Sequence, residues 1–248
     1  MSNTTNTPLS GGRLCNCIIR NTFSSLLAEK YDLKFSYNYY EQIEQLGIKL
    51  FTNGKNYYNK TIHVNDNEFF KYMYHEKLTT NIFTGGYYYQ TYHLAHYLRL
   101  EYFNKPDIKS TIMNHNKYNE RYNKNNDVFI HVRLGDVIEH SPGINYYEKA
   151  LQQIEYEKGY IASDSLDHPI CVELINKYNL IPINNDEVST IMFGSTCKKI
   201  ILSSGSFSWT IGVLGFFSNV YYENPEKRKV HWCPHEIFKF DDWNMVNF

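Results

Sequence analysis

The chain has no surplus of either charge: its 248 residues carry 25 basic and 26 acidic side chains, a formal net charge of -1 at pH 7. General nucleic-acid binders carry a basic surplus to meet phosphate, so that class is disfavoured. The one compact basic cluster, Glu226-Lys-Arg-Lys229, reads as a solvated turn. No run approaches the ~20 apolar residues that span a bilayer. The stretch Met1-Ser-Asn-Thr-Thr-Asn-Thr-Pro8 has neither the basic region nor the apolar core of a signal peptide. The expectation is a soluble, cytoplasmic protein with no transmembrane segment. Cysteine is sparse, with five residues at positions 15, 17, 171, 197 and 233. Their odd number and irregular spacing suit a reducing compartment and not a disulfide framework. The Asn-X-Thr triplets at Asn3 and Asn59 then read as chance matches. A P-loop, a G-x-S-x-G elbow, an H-E-x-x-H helix and any internal repeat are all missing from the sequence.

What is present fits a folded α/β protein. Apolar residues make up 42% and charged residues 21%, a globular composition, and the length allows one large domain or two small ones. Aromatics reach 17% with 23 Tyr; such rings stack on sugars or bases, but they also fill cores. In the C-terminal half, apolar runs at 128–132, 159–164, 180–183, 199–203 and 219–222 read as strands. Helical spacing separates them at 146–157, 169–178, 186–197 and 206–217. This alternation indicates a mainly parallel sheet wound on both faces. The N-terminal half is similar in kind, with helices over 14–30 and 92–103 and weak strands at 33–37, 62–64 and 82–83. The Asn- and Lys-rich run 115–127 is the best linker candidate, giving lobes over 1–118 and 119–248.

In open parallel sheets, ligands bind at the carboxyl ends of strands, where the winding reverses. Three strand ends carry suitable groups. Val128-Phe-Ile-His-Val-Arg-Leu-Gly-Asp136 ends in Arg133 and Asp136, and a guanidinium there matches phosphate oxygens bidentately. Ser163-Asp164 is the second. Ser203-Ser-Gly-Ser-Phe-Ser208 is the third, where Gly205 admits close backbone approach and the following helix start offers N–H donors to an anion. Each has an ordinary alternative. His131 on an apolar strand is commonly a hydrogen-bonded core residue, Asp136 after glycine caps turns, and Ser206 is a good N-cap. Arg133 is balanced between a nucleotide and a neighbouring carboxylate. His231, Cys233 and His235 alternate as H-x-C-x-H, but Pro234 interrupts them and no fourth ligand is evident, so no metal site is expected. Cys15 and Cys17, two apart on a helix, do not face one another.

Taken in order, these segments resemble the α-1,2-fucosyltransferase family (glycosyltransferase family 11-like), with its α-1,6- and protein O-fucosyltransferase relatives. The H-x-R-x-G-D signature corresponds to His131-Val-Arg133-Leu-Gly135-Asp136, and the strand-end S-D motif to Tyr160-Ile-Ala-Ser163-Asp164. The S-S-F-S-W segment is matched by Gly205-Ser206-Phe207-Ser208-Trp209 after Ser204, and G-R-L-G-N-Q by Gly12-Arg13-Leu14-Cys15-Asn16-Cys17. Gly86-Tyr-Tyr-Tyr-Gln90 is similar to a central G-Y-x-Q segment of the family, so the likeness runs in order along nearly the whole sequence.

The resemblance implies two Rossmann-like lobes of the GT-B glycosyltransferase type, GDP-fucose as donor, a glycan hydroxyl as acceptor, no metal or other cofactor, and inversion at the anomeric carbon. Arg133 would neutralise charge on the leaving GDP, with Asp136 fixing it or the guanine environment or serving as base, and His131 completing the catalytic candidates. Donor contacts would come from Ser163, Asp164, Ser204, Gly205, Ser206, Phe207 and Ser208, and from Gly12, Arg13 and Asn16 of the first lobe. The departures are Cys15 and Cys17 in place of Gly and Gln, Leu134 and Val137 at often polar positions, and no hydrophobic first strand before Gly12. Two alternatives stay open: a different nucleotide sugar, or a catalytically silent sugar- or nucleotide-binding protein.

Overall fold

A computed structural model describes residues 5–6, 12–224 and 235–248. The basic cluster at 226–229, Asn3, His231 and Cys233 lie outside the described residues. The chain divides into two units, Met1–Ile112 and Met113–Phe248.

The first unit is organised around one long helix. Strand β1 (Thr5–Asn6) leads to α1 (Leu14–Tyr31), followed by β2 (Phe35–Ser36), α2 (Tyr40–Gln45), β3 (Thr61–His63), α3 (Phe69–Tyr74) and β4 (Asn81–Phe83). Leu14, Ile18, Phe23 and Leu27 of α1 are buried, but so are Arg20, Asn21, Thr22, Ser24 and Ser25. Buried polar groups need partners. Ser24 Oγ meets Thr84 Oγ1 at 2.8 Å, Asn21 Nδ2 donates to Asn38 O at 2.7 Å, and Arg20 Nη2 reaches Cys17 Sγ at 3.2 Å. The helix stops at Asp32, whose left-handed backbone (φ 52°) turns its N–H back onto the carbonyls of Ala28 and Glu29.

The segment 92–103 begins as α4 (Tyr92–His96) and widens into a π-helix, Tyr97–Phe103. There Tyr97 enters an aromatic cluster, 5.6 Å from Phe70 and 6.1 Å from Phe69 between ring centroids. Among the described residues, the strands of this unit form two separate parallel pairs, β1–β2 and β3–β4. The first unit therefore differs from the expected open Rossmann-like sheet. Its strands are only two or three residues long, and burial is supplied mainly by α1 and the aromatic cluster.

The run 115–127 is not an exposed linker. It follows α5 (Pro106–His115) and packs into the second unit. Buried Asn116 donates through Nδ2 to Tyr122 Oη (3.0 Å) and Met192 O (2.8 Å). Arg121 pairs with Asp127 at 2.8 Å, and its guanidinium lies 4.6 Å from the Phe193 ring centre. The polar composition that suggested solvent serves internal hydrogen bonds instead.

The second unit then alternates as expected: β5 (Val128–Val132), α6 (Ile144–Leu151), β6 (Gly159–Ser163), α7 (Pro169–Tyr178), β7 (Ile181–Pro182), α8 (Glu187–Gly194), β8 (Lys199–Ile201), α9 (Ser206–Leu214) and β9 (Asn219–Glu223). An additional edge strand, β10 (Asn244–Val246), pairs with β9. Its Asn-Met-Val sequence has no apolar alternation, which is why periodicity does not reveal it. All six strands are parallel, in the order β10-β9-β8-β5-β6-β7. The chain winds outward from β5 through β6 to β7, then returns to the other side of β5 for β8, β9 and β10. This is the doubly wound Rossmann order, with its reversal between β5 and β8. Strand β5 is buried along its full length. Val128, Ile130 and Val132 share a core with Tyr146, Tyr147, Ala150, Leu151 and Leu174, while the Phe129 ring lies 6.3 Å from Phe193 of α8. Each such apolar side chain stabilises the sheet by about 1.5–3 kcal/mol.

Candidate functional site

Beyond the carboxyl end of β5, Arg133 projects between two carboxylates. Its Nη1 donates to Asp164 Oδ2 and its Nη2 to Asp136 Oδ1. Asp164, just past β6, also accepts the Leu134 backbone N–H through Oδ1 at 3.0 Å. The register Val132↔Ser163 sets these two strand ends side by side. Gly135 is required here: a Cβ on it would lie 2.5 Å from Asp164 Oδ2. Side-chain exposure is graded, at 19% for Arg133, 28% for Asp164 and 58% for Asp136, so the group is open to solvent on the Asp136 side. Ser163 Oγ turns back to accept the Ser165 N–H at 3.0 Å, closing the loop after β6.

A second cluster fills the reversal between β5 and β8. His131 Nδ1 lies 2.6 Å from Ser208 Oγ, and the Ser203 N–H donates to the same oxygen at 3.0 Å. The Phe207 ring lies 4.9 Å from the imidazole. Burial pushes the His131 pKa down to about 4; the nearby Asp164 charge opposes that shift and Arg133 adds to it. The imidazole is therefore neutral at pH 7. Ser208 Oγ accepts from Ser203 and keeps a second lone pair and its own proton, so it meets Nδ1 as donor or as acceptor according to the imidazole tautomer.

The loop into α9 is built for backbone exposure. Gly205 has φ +98°, a conformation that side chains resist, and among the described residues nothing lies within 4 Å of where its Cβ would be. No described side chain caps the start of α9. Ser204 and Ser208 are buried, whereas Ser206 and Phe207 are half-buried. Two tyrosines that periodicity assigns only to a helix face support this edge. Tyr147 Oη donates to Ser203 Oγ at 3.1 Å, and Tyr146 Oη to Leu202 O at 2.6 Å. The adjacent Tyr-Tyr pair on α6 is their only sequence signal.

The structure thus brings Arg133, Asp136 and Asp164 together, and His131 with Ser208 and Phe207, along one carboxyl edge of the second unit. Gly12, Arg13 and Asn16 belong to the first unit, where Gly12 and Arg13 are exposed at the start of α1. Asn16 Oδ1 accepts from Gln90 Nε2 at 2.6 Å, a contact that joins two motifs 74 residues apart. Cys15 and Cys17 are buried and not joined in a disulfide. Burial pushes the Cys17 thiol up, opposed by the Arg20 charge and hydrogen bond. Among the described residues, no cluster of His, Cys, Asp or Glu is arranged to hold a metal, and no helix is long and apolar enough to cross a membrane.

The fold and site define an α/β protein whose second unit has a Rossmann-type sheet with polar groups gathered at its winding reversal. No protein-family model matches the sequence, and no curated protein matches it.

Proposed function

We propose that the protein is an inverting, metal-independent glycosyltransferase of the two-lobed GT-B type, moving L-fucose from GDP-fucose to a glycan hydroxyl. The observation that carries this reading is Arg133, held by Asp164 and Asp136 where the ends of β5 and β6 lie side by side, on the same carboxyl edge of the sheet as the open backbone of Gly205. In the reaction, the acceptor hydroxyl oxygen attacks the anomeric carbon and loses its proton to solvent water, while the bond from that carbon to the β-phosphate oxygen breaks. Its electron pair, and a growing negative charge, leave with GDP. A fixed guanidinium and the amides opening α9 oppose that charge without any reorganisation at the moment of transfer. His131, buried and neutral, holds Ser208 at the start of α9 without adding charge. The bond from Arg133 to Asp136 favours the role of fixing the guanidinium over that of accepting the acceptor proton. The likeness of His131-Val-Arg133-Leu-Gly135-Asp136 and Gly205-Ser-Phe-Ser-Trp209 to fucosyltransferase motifs supplies the choice of donor.

A second reading, a catalytically inactive nucleotide-sugar or glycan-binding protein, draws on the same trio. Two carboxylates on one guanidinium leave the group with a net charge of -1, so an incoming diphosphate must displace or outcompete one of them. A transferase using another nucleotide sugar is the rival within the class. Thermal shift with GDP-fucose, GDP-mannose and UDP- and dTDP-sugars identifies the donor, and product formation with a β-galactoside acceptor separates enzyme from binder. Arg133→Ala is expected to abolish both donor binding and transfer; unchanged affinity and turnover in that variant would overturn the assignment.

A further inference from the structure

Two adjacent tyrosines of α6 reach the far end of β8. Tyr146 and Tyr147 are completely buried and share a core with Val128, Ile130 and Val132 of β5. The alternate residues of β5 face the other way, Phe129 toward Phe193 of α8 and His131 toward Phe207 of α9. Helices α6 and α9 therefore cover opposite faces of the sheet. Phenylalanine supplies the same apolar ring, so two buried hydroxyls on α6 call for a separate account. Successive helical residues point about 100° apart, yet both hydroxyls arrive at consecutive residues of one strand end. Tyr146 Oη donates to Leu202 O at 2.6 Å and lies 3.3 Å from Tyr221 O, where the pairing of β8 with β9 stops at Ile201↔Tyr221. Tyr147 Oη meets a side chain instead, donating to Ser203 Oγ at 3.1 Å.

The contact continues across the carboxyl edge. The Ser203 backbone N–H donates to Ser208 Oγ at 3.0 Å, and that oxygen lies 2.6 Å from His131 Nδ1. Four buried residues, from α6, the end of β8, α9 and β5, are thus joined in one chain that passes from one face of the sheet to the other. One link runs through the Ser203 backbone, so the chain carries position and not a proton. Ser203 and Ser208 bracket the loop in which Gly205 has φ +98°, with open space among the described residues where a Cβ would be. Fixing both ends of that loop fixes the backbone it presents. At the other end of the chain, His131 stands two residues before Arg133 on the same segment.

We propose that Tyr147 is a positioning residue of this edge: by donating to Ser203 Oγ from the far face of the sheet, it sets the 203–208 loop and the His131 ring, and with them the affinity of the second unit for a nucleotide diphosphate. This deepens the glycosyltransferase reading and rests on it. The test compares full-length wild type with Tyr147→Phe, Ser203→Ala, the Tyr147→Phe/Ser203→Ala double variant and Tyr146→Phe. It reads GDP affinity by calorimetry, melting temperature, and the ¹⁵N resonances of the His131 imidazole. Tyr146→Phe is the control, since it removes an equally buried hydroxyl from the same helix, but one bonded to backbone only. Tyr147→Phe and Ser203→Ala are each expected to shift the His131 resonances and to weaken GDP binding about fivefold, with the double variant no weaker than either single one. Tyr146→Phe is expected to lower the melting temperature about as much as Tyr147→Phe while the His131 resonances stay in place. Unmoved His131 resonances or wild-type GDP affinity in Tyr147→Phe, equal resonance shifts in Tyr146→Phe, or additive losses in the double variant would each overturn the proposal in a protein that binds GDP. A wild type that binds no GDP overturns the nucleotide reading and the affinity claim with it. The His131 resonances then decide by themselves whether Tyr147 acts on His131 through Ser203 and Ser208.

Discussion

Arg133 is more constrained than a surface arginine usually is, because a planar fork meets two carboxylates from different loops. A lysine at this position keeps the charge but cannot span both carboxylates and still offer donors to a diphosphate. Arg133→Lys is expected to weaken GDP binding about tenfold and to slow transfer about 10²- to 10³-fold. Calorimetry and initial rates read the two effects separately. His131 makes a different prediction, about pH. Its pKa falls from the ordinary 6.5 to about 4 on folding, chiefly through burial. The folded state therefore resists taking up a proton that the unfolded chain accepts. The stability associated with this histidine is complete above pH 6.5 and drains away as pH falls toward 4, by up to about 3 kcal/mol. Urea midpoints at pH 7, 5.5 and 4.5 should decline in wild type and decline less in His131→Gln; equal slopes would show that His131 does not carry the effect.

At the scale of elements, the loop from β8 into α9 rests on one glycine. Gly205 has φ +98° with open space around its missing Cβ, so Gly205→Ala meets backbone strain and no clash. The variant is expected to lose about 1–3 kcal/mol of stability and to bind GDP more weakly, because the amides at the helix start move. Thermal melts with and without GDP measure both effects. This loop was legible in the sequence, since Ser203-Ser-Gly-Ser-Phe-Ser208 follows an apolar run and precedes helical spacing. The strands of the second unit other than β10, and the helices between them, were legible for a like reason: each apolar run is bounded by a turn signal, as at Gly135, Asp164 and Asp186. Asp186 indeed caps α8, accepting the Ser189 N–H at 2.7 Å. Periodicity placed α1 over 14–30, against Leu14–Tyr31, but could not show its burial on the polar side, where Arg20, Asn21 and Ser24 look like a solvated face and are buried. Nor could composition tell that the polar run 115–127 hydrogen-bonds inward through Asn116 and Arg121. The Arg133 trio was half visible: strand pairing, which sequence order does not give, brings Asp164 to Leu134 and Arg133 across 31 residues.

For the whole molecule, the decisive question is which segments respond when a nucleotide sugar is added. If Arg133 meets the diphosphate, GDP alone should slow amide hydrogen exchange at 132–136, 163–165 and 203–208, the strand-end segments of the second unit. The protection should survive a chelator, since Arg133 and backbone amides supply the countercharge in this reading. Slowing that GDP confines to the first unit would move the diphosphate site away from Arg133. Protection lost on chelation would replace the guanidinium with a metal as the main countercharge. Exchange unchanged at all these segments by any nucleotide sugar would leave the Arg133 trio as a structural ion pair that pins the loop after β5 to the loop after β6.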